Sequence, residues 1–286
     1  MKVLNTINNV RSFLRKERAR GRSIGFVPTM GYLHQGHLSL IRAADNECDT
    51  VVVSVFVNPT QFGPGEDYGK YPRDMGRDKR LAEEAGADLL FAPEAGEMYP
   101  EGADTVVEVG PRLTGGLCAA GRPGHFRGVA TVVAKLFNIV LPDKAYFGQK
   151  DAQQAAVIRR MVRNLNMPVE IRVMPTVRED DGLAESSRNI YLSAGQRQKA
   201  LSLYRALRRA REMVDAGRVA AGEVREEMLK VLNGQGGVDV EYVEIVDAED
   251  LQPVGAVRNN TLIAVAAKVG DTRLIDNVII DNIEKG

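Results

Sequence analysis

The feature that most limits the fold of this chain is an unbroken run of apolar and β-branched residues at 50–57, "TVVVSVFV". A strand with one wet face alternates apolar and polar residues, whereas a strand covered on both faces is apolar throughout. Helical patterns lie on either side of the run, over 37–46 and 74–85. Strands that alternate with helices indicate βαβ units, so the run predicts the interior of a parallel sheet with helices on both faces.

The same alternation continues as far as Pro175 and then stops. Further strands are predicted at 23–27, 88–92, 145–147 and 169–174, and further helices at 127–141 and 152–164. We therefore predict an α/β domain over 1–175, in which ligands bind at the carboxyl ends of the strands.

The chain after Pro175 has a different pattern. Ser193 and Gln196 have the spacing of a capping box, which starts a helix that ends at Gly217. Another helix is predicted at 223–232, and three strand-like runs follow at 240–246, 261–269 and 273–280. Strands that directly follow one another predict an antiparallel sheet, so 176–286 is predicted to be a smaller α+β domain.

Composition excludes several classes of protein. Acidic and basic residues balance at 38 each, and a nucleic-acid partner is not expected without a basic surplus. Cys48 and Cys118, the only cysteines, give no disulfide framework and no metal-binding spacing. The N-terminal segment lacks the apolar core of a signal peptide, and no apolar run is long enough to span a bilayer. We predict a cytoplasmic protein that does not bind membranes.

Two of the three histidines, His34 and His37, lie in the stretch "PTMGYLHQGH", directly after a predicted strand. A helix start has unpaired N–H groups and partial positive charge, which suit a phosphate. Gly36 allows the backbone to approach a ligand, and the imidazoles can donate to phosphate oxygens. A surface loop with incidental histidines is the alternative, and a zinc site lacks a third ligand. The strand–turn–helix context favours a nucleotide site.

Three further groups of polar residues are candidates for ligand binding. The amide of Gln61 follows the central strand, and it suits hydroxyls and a carboxylate unless it is a buried structural side chain. Lys150 and Asp151 stand in a second strand-to-helix turn, where Asp151 is otherwise a helix cap. A glycine-rich stretch contains Arg122, His125 and Arg127. The two arginines suit binding of an anion. The alternative is that this stretch is a solvated loop.

The stretch "PTMGYLHQGH" resembles the HIGH-type turn of the nucleotidyltransferase superfamily. Three more blocks extend the resemblance to one family, the pantoate–β-alanine ligases or pantothenate synthetases. The blocks are "FVNPTQFGPGEDYGKYPRD" at 56–74, "GRPGHFRGVATVVAKLFNIVLPDKAYFGQKDAQQ" at 121–154 and "VREDDGLAESSRNIYLS" at 177–193. They lie in the first two thirds of the chain, and the last third resembles the family only in its general pattern.

The resemblance implies a two-step reaction. Pantoate and ATP would give pantoyl adenylate and pyrophosphate, and the amine of β-alanine would then displace AMP to give pantothenate. It further implies Mg²⁺ as the counter-ion of ATP, a Rossmann-like nucleotide-binding domain and a homodimer. The partners it implies are small-molecule substrates only.

The resemblance also assigns residues. Catalytic roles fall to His34, His37, Lys150 and Arg188, with His37 as proton donor, and Asp78 is a possible magnesium ligand. Pantoate would contact Gln61 and Gln154, with Asn58 and Arg122 as further substrate contacts. The ATP-binding residues it implies are Met30, Gly31, Tyr32, Leu33, His34, Gln35, Gly36, His37, Gly148, Gln149, Lys150, Asp151, Val177, Glu185, Ser186, Ser187 and Arg188. Glu185 departs from the apolar or basic residue common in relatives, and its segment is expected to be flexible around Gly182.

Two other functions stay open at this point. A related nucleotidyltransferase would adenylylate a phosphate-bearing acceptor, and it would share the histidine turn without needing the amides of Gln61 and Gln154. A non-catalytic nucleotide- or tRNA-binding module is the other alternative. The neutral charge and the presence of Lys150 and Arg188 weigh against it.

Overall fold

The computed structural model describes residues 1–281, and strands alternate with helices as far as β6, as predicted. The strands are β1 (Lys2–Leu4), β2 (Ile24–Thr29), β3 (Thr50–Val55), β4 (Leu89–Phe91), β5 (Lys144–Gly148), β6 (Glu170–Met174), β7 (Asp239–Asp247), β8 (Thr261–Val269) and β9 (Thr272–Ile280). The α-helices are α1 (Ile7–Ala19), α2 (Gln35–Glu47), α3 (Met75–Glu84), α4 (Ala95–Met98), α5 (Pro111–Thr114), α6 (His125–Val140), α7 (Ala152–Asn164), α8 (Ala194–Asp215) and α9 (Ala221–Asn233). None of these helices is long and apolar enough to cross a bilayer.

Six strands form one parallel sheet in the order β1-β4-β3-β2-β5-β6, which confirms the predicted fold class. The chain builds the sheet in one direction from β2 to β4 and in the other from β5 to β6. The switch point therefore lies between β2 and β5. Their pairing covers Gly25 and Phe26 against Lys144 and Ala145, while β2 continues along β3 to Thr29. Open α/β sheets bind their ligands at such a point.

Neighbouring residues of β2 show that helices cover both faces of the sheet. The ring of Phe26 lies 6.3 Å from the ring of Phe137 on α6, whereas Val27 packs in a cluster with Leu38 and Ile41 of α2. Successive side chains of a strand point to opposite faces, so α6 and α2 lie on opposite sides. This double cover is why the central strands β2 and β3 are buried and mainly apolar.

The chain divides into two compact units. The first unit comprises Met1–Gly110, Gly121–Gly148 and Val157–Pro175, and the second comprises Pro111–Ala120, Gln149–Ala156 and Thr176–Gly286. Two short segments of the predicted first domain thus pack within the second unit. Side-chain amides hold them there: Gln153 donates to the carbonyls of Leu113 and Gly116, both at 2.9 Å, and Asn277 donates to the carbonyl of Lys150 at 2.9 Å.

The second unit contains an antiparallel sheet in the order β7-β8-β9, as predicted. Leu207 and Met213 of α8 and Met228 of α9 pack with Ile263 and Val265 of β8 in one core. The predicted capping box of α8 is present, since Ser193 and Gln196 each accept from the other's backbone N–H. Residues 282–286 of the predicted C-terminal domain lie outside the described residues.

The sequence analysis missed or misplaced several boundaries. It did not predict β1, whose three residues are too few to show a period. It started α2 at His37, whereas the helix begins at Gln35 because His34 caps it. It ended the first strand at residue 27, whereas β2 runs on through Pro28 to Thr29 along β3.

Candidate active site

The turn after β2 has a backbone that few residues adopt. Gly31 has a φ of 86° and Tyr32 a φ of 51°. A Cβ on Gly31 would lie 2.8 Å from Cγ1 of Val55 and 2.9 Å from Oδ2 of Asp78, so glycine is needed for space as well as for φ. The N–H of Gly31 donates to Oγ1 of Thr29 at 3.1 Å. The turn is therefore held from the end of its own strand.

Asp78 on α3 fixes the same turn from the other side. Its side chain is 1% exposed, and its two carboxylate oxygens accept from the N–H groups of Tyr32 and Leu33, each at 2.7 Å. Burial raises the pKa of Asp78 above its ordinary value, although those two hydrogen bonds and the charge of Arg77 oppose the shift. The geometry thus gives Asp78 a structural role in the turn.

The fit of this region to a magnesium ion follows from the same contacts. Mg²⁺ takes oxygen ligands in near-octahedral geometry, but both oxygens of Asp78 face backbone N–H groups. Among the described residues there is no cluster of three or more His, Cys, Asp or Glu side chains suited to a metal. A dedicated protein cage for Mg²⁺ does not fit these residues.

His34 and His37 form a reciprocal cap on α2. The N–H of Gly36 donates to Nδ1 of His34 at 3.1 Å, and the N–H of His34 donates to Nδ1 of His37 at 3.3 Å. The ring centroids are 4.0 Å apart. A nitrogen that accepts a hydrogen bond carries no proton, so each neutral ring carries its proton on Nε2. Both histidines therefore present an N–H donor at the positive end of the helix.

Gln61 and Asn58 lie after β3 in a 3₁₀ turn, Pro59–Gln61. Asn58 is 1% exposed, and its amide nitrogen donates to Oε1 of Gln61 at 3.1 Å and to the carbonyl of Gly128 at 3.2 Å. Its oxygen accepts from the hydroxyl of Tyr99 at 2.9 Å. Both the nitrogen and the oxygen of the Asn58 amide thus have protein partners, so Asn58 positions Gln61. Its contact with a substrate remains a prediction.

Arg122, predicted to bind a substrate anion, already has a carboxylate partner. Its Nε and Nη2 donate to Glu66 at 2.7 and 2.6 Å, and its Nη1 lies 3.0 Å from Nε2 of His125. Burial alone would raise the pKa of Glu66, but the hydrogen bonds and charge of Arg122, with smaller contributions from Gly63 and His125, together bring the pKa below its ordinary value. His125 in turn donates from Nδ1 to the carbonyl of Gln61 at 2.7 Å. Arg122 thus braces the turn that carries Gln61.

Arg127, the third residue of this stretch, is exposed to solvent.

Gly148 ends β5 in the first unit, and the predicted site residues that follow it in the chain lie in the second unit. The turn Gln149–Asp151 is fixed by Asn277 of β9, whose amide nitrogen donates to the carbonyls of Gln149 and Lys150 at 3.0 and 2.9 Å. Of the two adjacent glutamines, Gln153 is buried and holds the 113–118 segment. Gln154 is half-buried and remains the predicted pantoate contact.

The segment 177–185 forms a hairpin with cross-strand hydrogen bonds, and its expected flexibility remains a prediction. The N–H of Glu185 donates to the carbonyl of Val177 at 3.0 Å, and Arg178 and Ala184 form an antiparallel bridge. Gly182 is buried with a φ of 95°, and a Cβ there would collide with the ring of Tyr204. Glycine therefore serves close packing here.

Ser186, Ser187 and Arg188 directly follow the hairpin. Ser186 caps a 3₁₀ turn that runs over Ser187–Tyr191. The hydroxyl of Ser186 accepts from the N–H of Arg188 at 3.2 Å. Burial raises the pKa of the neighbouring Glu185, and the charge of Glu179 adds to this shift while Arg197 and Lys150 oppose it. Glu185 thus faces a mixed set of charges rather than open solvent.

Four residues that organise the site were missed from the sequence or given another role. Asp78 was considered only as a metal ligand, and Gly128, Asn277 and Arg197 were not singled out. Their contacts join residues far apart in the chain, so periodicity and short motifs carry no trace of them. A glycine inside the apolar helix α6 was the one available signal, because such a glycine often marks a close backbone approach.

The parallel sheet, its switch point and the histidine-capped turn define an α/β protein of the Rossmann-like class. The chain belongs to the pantoate-beta-alanine ligase family, whose model matches residues 2–279. A pantothenate synthetase from Pelotomaculum thermopropionicum is 56% identical over 283 residues, which cover 99% of this chain and all of the relative.

Solved structures agree with this assignment. The pantothenate synthetase of Thermus thermophilus matches with a TM-score of 0.94 and 50% identity over 99% of this chain and 100% of its own. The pantoate-beta-alanine ligase of Francisella tularensis, solved with beta-gamma ATP and beta-alanine, matches with a TM-score of 0.81 and 34% identity over 98% of this chain and 97% of its own. Both matches span essentially the whole chain.

Proposed function

We propose that this protein condenses pantoate with β-alanine through a pantoyl adenylate. A carboxylate oxygen of pantoate attacks the α-phosphorus of ATP, and the bond to the β-phosphate breaks to release pyrophosphate. The amine of β-alanine then attacks the acyl carbon, loses a proton, and displaces AMP to give the amide. The complex of the Francisella tularensis relative with beta-gamma ATP and beta-alanine supports both the nucleotide and the amine in this proposal.

The observation that carries the proposal is the reciprocal cap that His34 and His37 form at the start of α2. Nδ1 of each ring accepts a backbone N–H, so Nε2 is the donor. Negative charge grows on the phosphate oxygens as pyrophosphate leaves, and preorganised donors stabilise that charge most. We assign His34 and His37 to this role, with Lys150 and Arg188 as the cations that accompany them.

We assign the binding of pantoate to side-chain amides rather than to charged side chains. Gln61 is 8% exposed, and its Nε2 lies 2.9 Å from Sδ of Met30. A thioether is a weak acceptor, so a hydroxyl or carboxylate oxygen of pantoate would be the better partner for this amide. Gln154 is the proposed second contact, and Asn58 and Arg122 act behind Gln61. No protein nucleophile is needed, because AMP is the activated leaving group.

Two further properties belong to the proposal. Mg²⁺ would enter on the phosphates of ATP and neutralise part of their charge. A homodimer is expected from the family, and light scattering of the purified protein measures it directly: a mass near twice 31.3 kDa supports the dimer, and a mass near the single-chain value contradicts it.

The test measures AMP formation from ATP with pantoate and β-alanine each omitted in turn, together with exchange of labelled pyrophosphate into ATP. Pantoate alone should support exchange, because the adenylate forms before the amine arrives. AMP should accumulate catalytically only when both substrates are present. Gln61→Ala should raise the Michaelis constant for pantoate much more than that for ATP.

Two outcomes would contradict the proposal. Exchange that strictly requires β-alanine would exclude a free-standing first step. Adenylyl transfer to a phosphate-bearing acceptor, without any use of pantoate, would indicate the related nucleotidyltransferase activity instead.

A further inference from the structure

The hairpin of the second unit determines where Ser186, Ser187 and Arg188 lie. Its two arms are joined by the hydrogen bond from the N–H of Glu179 to the carbonyl of Leu183, 2.8 Å, and by that from Glu185 to Val177. The three residues follow the second arm directly. Whatever holds the hairpin therefore holds them.

Arg197 lies in the first turn of α8 and forms hydrogen bonds with the tip of this hairpin. Its Nε donates to Oδ2 of Asp181 at 2.9 Å, and its Nη2 donates to Oε2 of Glu179 at 2.7 Å. The guanidinium thus spans two carboxylates that lie two residues apart. A planar fork suits this arrangement, whereas a single ammonium does not.

Glu179 connects Arg197 to the turn that follows the hairpin, because it accepts hydrogen bonds from both. Its second oxygen, Oε1, accepts from the amide of Asn189 at 2.6 Å, and the same amide donates to the carbonyl of Ala184 at 3.1 Å. Asn189 lies within Ser187–Tyr191. One carboxylate therefore links α8 to the turn that contains Ser187 and Arg188.

The opposite side of the hairpin is held by β9. Arg178 donates to both oxygens of Asp276 at 2.6 and 3.0 Å and stacks over the ring of Tyr204 at 4.5 Å. That pair fixes the base of the hairpin. The Arg197 side is linked by side-chain hydrogen bonds to the turn that follows the hairpin, through Glu179 and Asn189.

We propose that Arg197 is a positioning residue for the ATP step, acting through Glu179 and Asn189 on Ser187 and Arg188. The inference rests on the proposed function, since it presumes that these residues contact the triphosphate. Arg197 also neutralises two carboxylates of a hairpin that would meet an anionic ligand. It never touches ATP itself, so its effect is preorganisation and local charge.

The test compares Arg197→Ala and Arg197→Lys with Arg211→Ala. Arg211 lies on the same helix, where it pairs with Asp215 at 2.9 Å on the exposed surface, so it controls for loss of an arginine from α8. Arg197→Ala should lower kcat/KM for ATP by about 10- to 100-fold, the range for small misplacements of a site. The Michaelis constant for pantoate should stay within about twofold of the wild-type value.

The other variants separate geometry from charge. Arg197→Lys should fall between Arg197→Ala and the wild type, because it keeps the charge and loses the fork. Arg211→Ala should behave as the wild type. Backbone amide exchange at Leu183 and Glu185 should quicken in Arg197→Ala and stay unchanged in Arg211→Ala.

A normal kcat/KM for ATP in Arg197→Ala would overturn the inference, and so would an equal loss of pantoate and ATP use. If that variant does not fold, Glu179→Gln makes the same test with a smaller change, and it should affect ATP alone. A wild-type protein that makes no AMP from ATP, pantoate and β-alanine together would count against the proposed function. Unchanged amide exchange in Arg197→Ala, or in Glu179→Gln in its place, would count against the inference independently.

Discussion

At the scale of single residues, each imidazole of the histidine turn uses its two nitrogens for different purposes. Nδ1 accepts a backbone N–H and so serves the fold, while Nε2–H is the donor that we propose for the phosphates. Side-chain amides can imitate one nitrogen at a time. The oxygen of asparagine lies near the place of Nδ1, and the Nε2 of glutamine lies near the place of the imidazole Nε2.

This separation gives a prediction for His34. His34→Asn should keep the cap on α2 and lose the distal donor, so adenylate formation should fall by about 10²–10³ with little change in stability. His34→Gln should keep a donor and lose the cap, at a cost of about 0.5–2 kcal/mol in unfolding free energy. Pyrophosphate exchange and denaturant unfolding measure the two effects. Equal activity in the two variants would show that the nitrogens are not divided in this way.

Glu185 gives a prediction about pH. Its folded pKa lies above the ordinary value of 4.5, chiefly through burial, so the folded chain holds this proton more tightly than the unfolded chain. The stability tied to that proton is complete below the unfolded pKa and is lost as the pH rises through the folded pKa. Glu185→Gln, which cannot ionise, should gain stability relative to the wild type as the pH rises from about 4 to about 8.

Denaturant unfolding of both proteins across that range measures the difference, with Glu226→Gln on the exposed face of α9 as the matched control. A gain that shrinks with rising pH would mean that the ionised carboxylate is favoured by Arg197 and Lys150. The Michaelis constant for ATP should change by less than about threefold, because the backbone of Glu185 is the part committed to the hairpin.

At the scale of elements, the sequence predicted what depends on near neighbours. The run of β3, the strand–turn–helix around His34 and the capping box of Ser193 all follow from local sequence patterns. The hydrogen bonds that fix the site turns were not predicted, because the bonded residues are far apart in the chain. Asp78 lies 45 residues from Leu33, and Asn277 lies 127 residues from Lys150. A single acidic or amide residue in a sequence is predicted to lie on the surface unless its hydrogen-bond partner is known.

Gly128 shows how such a remote contact can be tested. A Cβ at this position in α6 would collide with the carbonyl of Thr60 and lie 2.8 Å from Cα of Gln61. Gly128→Ala should therefore push the Gln61 turn away, cost about 1–3 kcal/mol of stability, and raise the Michaelis constant for pantoate. Gly222→Ala on α9 is the matched control, since a Cβ there meets no atom within 4 Å.

The control variant should be neutral or stabilise the protein by up to about 1 kcal/mol, because alanine favours a helix. Calorimetry and pantoate kinetics on both variants decide the point. Two variants with the same melting temperature and the same pantoate kinetics would show that α6 and the turn move apart without cost.

At the scale of the whole molecule, fold class was predictable because two patterns meet at Pro175. Strands that alternate with helices gave the parallel sheet, and strands in succession gave the antiparallel one. The assignment of Pro111–Ala120 and Gln149–Ala156 to the second unit was not predictable. It depends on hydrogen bonds such as that from Gln153 to Gly116, which no local pattern reveals.

The narrow join between β2 and β5 also bears on the order in which the sheet assembles. Ile24 pairs with Thr50, whereas Gly25 pairs with Lys144, and closing the longer loop costs more chain entropy. The strands β1-β4-β3-β2 all lie within the first 91 residues, so a growing chain can pair them before β5 has been synthesised. The switch point, where open α/β sheets bind their ligands, would then be the last part of this sheet to form.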